Sequence, residues 1–473
     1  MKGIGKSLWR VYWKLHDKKK MLVARLKGYL DGLPPKTRRR VVLAMLAAFA
    51  ALALYTFGKA VHDIGRNDGS RMVTDHAGQV ELSLKPEVSD NFTPYYNNIV
   101  SSQWLDRATL RPVYCVADSK VGTSPRLLST STIGDELKVA TGGSALVYAL
   151  AFSRDAAVLS AGHAADGAVW VDDNRGVLAT SAYYPQKAHK WLNAYNAVYS
   201  QRASDDRTKN LAVVHAAQAC VVEQAMGRDA VTDYLAVTLS AKGRGAANWQ
   251  TDMEGVYIKL DQLLGDLVAG IEKQVGKEHV LFVVTSTGYT DEENVDYSKY
   301  NVPTGTFYIN RTANLLNIYL GAVYGQGRYV EACYHNEIYL NHKLIEQKRI
   351  SQSEVLVRCQ EFLIQNSGVR DVYTTNSLLN AGGDTRKLRN GHHPAISGDI
   401  VVEVAPGWQL YNEDNQERYT CRASFVPFPI IFYGAGTPAE HINTPVSVEH
   451  IAPTIAKAIR IRAPNACKSE PLF

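Results

Sequence analysis

The chain has 473 residues, is 46% hydrophobic and 21% charged, and carries a formal net charge of +6. Its length allows two to four domains. Its apolar fraction excludes wholesale disorder, its 35 aperiodic glycines exclude a collagen, and its six cysteines are too few for a disulfide scaffold.

The positive charge sits in a short arm. Residues 1–40 hold 13 Lys and Arg against Asp17 and Asp31, a local +11, so the whole-chain +6 less +11 leaves −5 for the rest. No basic stripe follows, and nucleic acid is not an expected partner. Trp9, Tyr12, Leu15, Met21, Leu22, Leu26 and Leu30 interleave with the basic residues, a pattern that suits an anionic membrane surface. A solvated basic tail is the alternative.

Residues 41–58, VVLAMLAAFAALALYTFG, are uncharged. As a helix the run would rise about 27 Å, close to the hydrocarbon thickness of a bilayer. Arg38, Arg39 and Arg40 flank one end and Lys59 the other, with Tyr55 and Phe57 at interfacial depth. A cleavable signal is disfavoured by the long preceding arm and because no A-x-A site follows the run. The positive-inside rule places the N-terminus in the cytoplasm. For a bacterial inner membrane, the large C-terminal part would then be periplasmic. Residues 59–93 are largely polar and read as a linker. Residues 94–473 form the globular part.

Within that part, residues 231–240 (VTDYLAVTLS) read as a buried strand. Met253–Val275 read as a helix with Val256, Leu260, Leu263, Leu264, Leu267 and Ile271 on one face. Residues 279–287 (HVLFVVTST) read as a second buried strand. Strand–helix–strand at this spacing predicts a βαβ unit with parallel strands. Further strands are expected at 399–405 and 429–434. A closing helix is expected near 448–459, where Pro453 either kinks it or marks its start. The predicted class is α/β with a largely parallel sheet flanked by helices, preceded by one transmembrane helix. The cysteines at 115, 220, 333, 359, 421 and 467 contain no C-x-x-C pair. They are either disulfide partners of unreadable connectivity or small buried hydrophobes.

In open parallel sheets, ligands bind beyond the carboxyl ends of strands. Here those ends supply Lys242 and Arg244, then Ser286 and Thr287. These four are the candidate anion-binding residues, able to grip a phosphate-containing ligand; a solvated turn is the alternative. No catalytic residue and no metal ligand is assigned. Asp291, Glu292, Glu293 and Asp296 lack calcium-loop spacing. His335 and His342 flank NEIYLN seven apart, and His392–His393 precede Pro394. All four read as packing or surface residues. Ser160, His163 and Asp166 lie too close in sequence to be read as a triad, and their Gly- and Ala-rich surroundings read as a tight packing loop.

Several stretches together resemble the alkaline phosphatase superfamily, in its phosphodiesterase/nucleotide pyrophosphatase branch. They are NIVSSQWLDRATLRPVYC (98–115), SPRLLSTSTIGDELKVAT (124–141) and AAVLSAGHAADGAVWVDDNRGVLATSAYY (156–184). DYLAVTLS, KLDQLLGDL, SGDIVVEVAPGW, PIIFYGAG and EHIAPTIAKAIRIRAPNAC follow in the family's order. Residues 1–80 resemble the small membrane Tra proteins of conjugative transposons.

The resemblance implies phosphoester hydrolysis by two zinc ions and a Thr or Ser nucleophile, and each expected position departs from it. The first metal-binding Asp and the nucleophile loop should precede residue 94, where linker and span stand instead. A substrate-contacting Asn falls on Ser102, and a Lys and an Arg on Ser153 and Asp155. Metal ligands fall near Gly243 and Ala247 and on Thr287–Gly288. A late His is expected within WQLYNEDNQERYT, which has none. Neutral residues cannot offset the charge of two close dications. The expectation is a membrane-anchored, catalytically silent domain with no retained cofactor, acting in binding or assembly. The resemblance implies that the lost segment supplies a central strand, so either a partner protein completes the sheet, or residues 68–93 partly do, or the domain is poorly stable; the lipid bilayer is the other expected partner. The rival readings are a phosphodiesterase with relocated ligands and an anchor subunit of a conjugation or secretion apparatus.

Overall fold

The computed structural model describes residues 97–473 except 199–202, 204, 243–248, 287–299, 380–388, 390, 421–427 and 438. Contacts divide the chain into residues 1–76 and 77–473, and all described residues belong to the second unit. The arm, the apolar run at 41–58 and the linker lie outside the described residues. Among the described residues no helix is long and apolar enough to cross a membrane.

A short antiparallel hairpin opens the domain, β1 (Gln103–Leu105) with β2 (Pro112–Tyr114). Helix α1 (Ile133–Ala140) follows, started by a reciprocal cap between Thr132 and Asp135. Strand β3 (Val147–Ala151), helix α2 (Arg154–Ala161), strand β4 (Gly167–Val171) and strand β5 (Leu178–Thr180) come next. The helices α3 (Gln186–Val198) and α4 (Asp206–Glu223) lead to strand β6 (Tyr234–Thr238). These strands form one sheet in the order β5-β4-β3-β6, in which β3 pairs in parallel with β4 and β6, and β5 is antiparallel.

Residues of β3 and β4 are buried without exception, which suits apolar runs covered on both faces. Val147, Ala149 and Ala151 point into one core with Leu137, Val158 and Trp170. Tyr148 and Leu150 point into another with Val213, Val214 and Cys220 of α4.

Helix α5 (Trp249–Val275) and strand β7 (Leu281–Val284) match the expected helix and second strand. Their connection departs from expectation. Among the described residues no ladder joins β6 to β7; β7 pairs antiparallel with β15 (Ile431–Gly434), far along the chain.

The intervening residues build a second half. Strand β8 (Gly305–Tyr308), helix α6 (Ile309–Tyr324), β9 (Val330–Tyr334), β10 (Glu337–Leu340), α7 (His342–Gln347), α8 (Gln352–Ile364), β11 (Val369–Thr374) and β12 (Ile400–Val404) run in order. A four-stranded antiparallel sheet β9-β10-β12-β11 results, and α6 and α8 bury Leu316, Leu320, Val355 and Leu363 against Ile338, Val372 and Val402. Strand β13 (Trp408–Asn412) pairs in parallel with β8 and antiparallel with β14 (Glu417–Thr420). The fold is α/β as expected. Parallel pairing, expected to predominate, is found among the described residues only in β4-β3-β6 and β8-β13, because the second half is built of hairpins and long returns.

The last helix, α9 (Ile451–Ala458), follows a 3-10 turn. Pro453 sits in its first turn, where no amide bond is required, so it marks the start. Cys115, Cys220, Cys333 and Cys359 are buried thiols. Burial pushes Cys220, Cys333 and Cys359 up to about 12 and Cys115 well above its ordinary value. These four follow the small-hydrophobe reading.

Candidate functional site

The carboxyl end of β6 is closed by a polar clamp. The Ser240 amide donates to Asn210 Oδ1 at 2.8 Å, and Asn210 Nδ2 donates to the Ser240 carbonyl at 2.7 Å. Ser240 Oγ donates to Asp206 Oδ2 at 3.0 Å. Asp206 and Asn210 belong to the first turns of α4, itself capped by Asp205. Among the described residues the carboxylate bonded at this strand end is Asp206, and the Ser240 hydroxyl already engages it.

Lys242 lies just beyond, exposed, with its amide donating to Ser240 Oγ at 3.3 Å. Ser286, two residues past β7, is also exposed. Arg244 and Thr287 lie outside the described residues, as do Gly243, Ala247 and Gly288. The structure thus locates two of the four candidate anion-binding residues, each at the end of its strand. The acids Asp291, Glu292, Glu293 and Asp296 are outside the described residues as well.

Positions where the resemblance implies substrate contacts have local structural work. Ser153 caps α2, accepting from the Ala156 amide at 3.4 Å, and Asp155 lies in that helix's first turn. Arg154 stacks over the Tyr114 ring at 4.3 Å. The Ser102 carbonyl accepts from the Cys115 amide. WQLYNEDNQERYT forms the β13–β14 hairpin.

Two zinc ions close together require several anionic or imidazole donors converging on them. Among the described residues no group of three or more His, Cys, Asp or Glu could hold a metal ion. Asp206, engaged by Ser240, does not by itself fit a two-zinc centre.

The charged side chains gather elsewhere, around two buried aspartates. Asp135 accepts from the amides of Thr132, His163 and Ala164 at 2.7–2.9 Å, and its Oδ2 lies 3.1 Å from His163 Nδ1. Burial alone would raise this carboxyl; the His163 bond and the amides reverse it, and it titrates below its usual range. The same bond to Asp135 raises His163 against the opposing effect of burial. Gly162 makes the turn between them at φ 78 and ψ −160, a conformation reserved for glycine. Ser160 is buried in α2, and Asp166 accepts from the Val147 amide and Lys138, so Ser160, His163 and Asp166 form no triad.

Asp399, 2% exposed, is the second centre. It takes His342 Nε2 at 2.7 Å, Arg107 at 3.1 Å and the Leu340 amide at 2.7 Å. Burial opposes ionisation, but His342, Arg107 and the amide together hold the carboxyl below its usual range. His335 reaches Glu417 at 2.7 Å and the Tyr419 hydroxyl. Spacing alone suggested a packing or surface role for these histidines. Each is in fact oriented by a carboxylate from a distant segment. His392 is buried in the expected turn. A capping pattern, Thr132-Ile133-Gly134-Asp135, was the available sign of Asp135.

Comparison with known proteins agrees with the fold. Residues 93–424 match the family described as type I phosphodiesterase / nucleotide pyrophosphatase. Residues 12–92 match conjugative transposon protein TraL. Alkaline phosphatase PafA of Elizabethkingia meningoseptica is 24% identical over 451 residues, covering 80% of this chain and 82% of that protein. Alkaline phosphatase PhoV of Synechococcus elongatus is 23% identical over 448 residues, covering 79% and 80%. The crystal structure of wild-type PafA superimposes with a TM-score of 0.70 at 22% identity, covering 81% of this chain and 87% of that one. This chain belongs to the type I phosphodiesterase / nucleotide pyrophosphatase family.

Proposed function

We propose that the chain is a membrane-anchored, exported member of its family that has lost phosphoester hydrolysis and acts by binding. One observation carries this reading: the end of β6 presents a Ser240–Asn210–Asp206 clamp with one engaged carboxylate. Charge supports it, since neutral donors leave the mutual repulsion and lost hydration of two dications uncompensated. The uncharged run at 41–58 with the basic arm before it supports an anchor with a cytoplasmic N-terminus. Lys242 and Arg244, with Ser286 and Thr287, are the residues proposed to meet a phosphate-containing ligand.

The test is the full chain, loaded with zinc, assayed against p-nitrophenyl phosphate and its bis-ester. No turnover above buffer is expected. Chelator-sensitive turnover of either ester overturns the reading in favour of relocated ligands. Titration with inorganic phosphate and AMP then decides the ligand; heat from neither removes the anion site.

A second reading has its own support in the TraL match of residues 12–92. There the N-terminal part serves a conjugation apparatus and the domain is cargo. It predicts that residues 1–93 alone co-purify with envelope components, whereas the first reading requires the domain.

A further inference from the structure

Residues 457–468 close a core with one set of side chains and present charge with another. Lys457 lies in the last turn of α9, and Arg460, Arg462 and Lys468 follow in the tail. Ile459, Ile461, Ala463 and Cys467 pack against the core of Ile133, Ala452 and Ala456. Arg460 and Arg462 alternate with Ile459, Ile461 and Ala463, and all four cations are exposed. No acid lies between Glu449 and Glu470, and no other twelve-residue stretch after residue 93 holds four Lys and Arg without an acid.

The segment is held in place. The Ile461 amide donates to the Ala456 carbonyl at 2.9 Å and the Arg460 amide to the Lys457 carbonyl at 3.1 Å, the paired bonds that close a helix C-terminus. Asn465 and Ser131 exchange two bonds, at 3.0 and 3.1 Å, and the Leu472 amide donates to Thr454 Oγ1 at 2.9 Å. Arg460 has φ 58, the left-handed conformation in which glycine is the low-cost residue at this point of the turn. A cation therefore stands where backbone strain favours glycine.

Several cations elsewhere in the domain are neutralised: Arg107 by Asp399, Lys138 by Asp166, Lys209 by Asp173 and Arg311 by Glu413. Lys457, Arg460 and Arg462 meet no carboxylate among the described residues. The flanking acid Glu449 stands before α9, at the opposite end of that helix, where it accepts from Ser469.

We infer that this surface rests on the anionic phospholipid headgroups of a bilayer. Charge complementarity selects that occupant. Residues 41–473 total −5, so an anionic surface repels the domain as a whole and attracts this segment. The tether supplies proximity, because a coil as long as residues 59–93 has a span of about 30 Å. The inference rests on the anchored reading and is independent of the loss of hydrolysis.

Lysine acylation on the full chain in lipid nanodiscs tests it, comparing phosphatidylcholine with phosphatidylcholine containing phosphatidylglycerol. Anionic discs are expected to slow acylation of Lys457 by about fivefold or more at low salt, with recovery in high salt. Lys343 of α7, exposed in the second half, should react equally in both. Arg460→Glu with Arg462→Glu should return Lys457 to its rate in neutral discs. A chain that enters neither disc overturns the anchored reading and this inference together. A chain that enters both with Lys457 equally reactive overturns this inference alone. Equal slowing of Lys343, or slowing that survives the double variant, also overturns it. Slowing by polyglutamate in neutral discs, without slowing by phosphatidylglycerol, overturns it in favour of an acidic protein.

Discussion

The two four-stranded sheets differ in how they end. The antiparallel sheet of the second half finishes its edges with charge and register shifts, and its core is closed by α6 and α8. Among the described residues the sheet of the first half ends at β6, an apolar strand whose residues are all partly exposed. Each half is also fastened by one buried aspartate, Asp135 in the first and Asp399 in the second. A finished edge is written locally, in charges and bulges. Where those local marks are missing, as in β6, the strand reads like an interior one.

Substitutions at the two aspartates would sharpen this contrast. Asp399→Ala should have the largest effect, about 4 kcal/mol in denaturant unfolding, because it leaves Arg107 and the Leu340 amide facing a buried space. Asp135→Ala should cost about 3 kcal/mol through loss of the α1 cap and two loop amides. If the halves unfold separately, Asp135→Ala should move only the transition of the first half, whereas Asp399→Ala should move both, because Arg107 belongs to the opening hairpin; one shared transition would break the comparison. Gly162→Ala should cost about 2 kcal/mol, read the same way, since the conformation excludes a side chain and an added Cβ would meet Asp135 Oδ2 at 2.7 Å.

The smallest effect is on pH dependence. His163 is raised, so its contribution is complete below its ordinary 6.5 and is lost as pH rises through the folded value. Asp135 is lowered, so its contribution is present above its ordinary 3.8 and is lost as pH falls through the folded value. The pair should therefore stabilise the first half most between those ordinary values. A melting profile across that window should flatten in His163→Asn.

Local pattern exposed much of this architecture. The apolar runs at 234–238, 281–284, 400–404 and 431–434 and the periodic face of α5 were all legible because burial and period act over a few residues. Pairing was not legible. Strand β7 finds β15 about 150 residues away, where no turn signal fixes the register. The candidate site was legible only as residue identities at strand ends, which can be read directly. The clamp of Ser240 on Asn210 was not, because it joins a strand end to a helix turn 30 residues earlier. Arg107 meets Asp399 across 292 residues, and nothing near either one announces the other.

The shielded sulfhydryls give the protein a set of internal clocks. Cys115, Cys220 and the pair Cys333 and Cys359 each sit in a different core. High pKa values keep them as unreactive thiols until their own compartment breathes. Alkylation of Cys220 thus times the opening of the compartment beside β6, while Cys333 and Cys359 keep time for the second half.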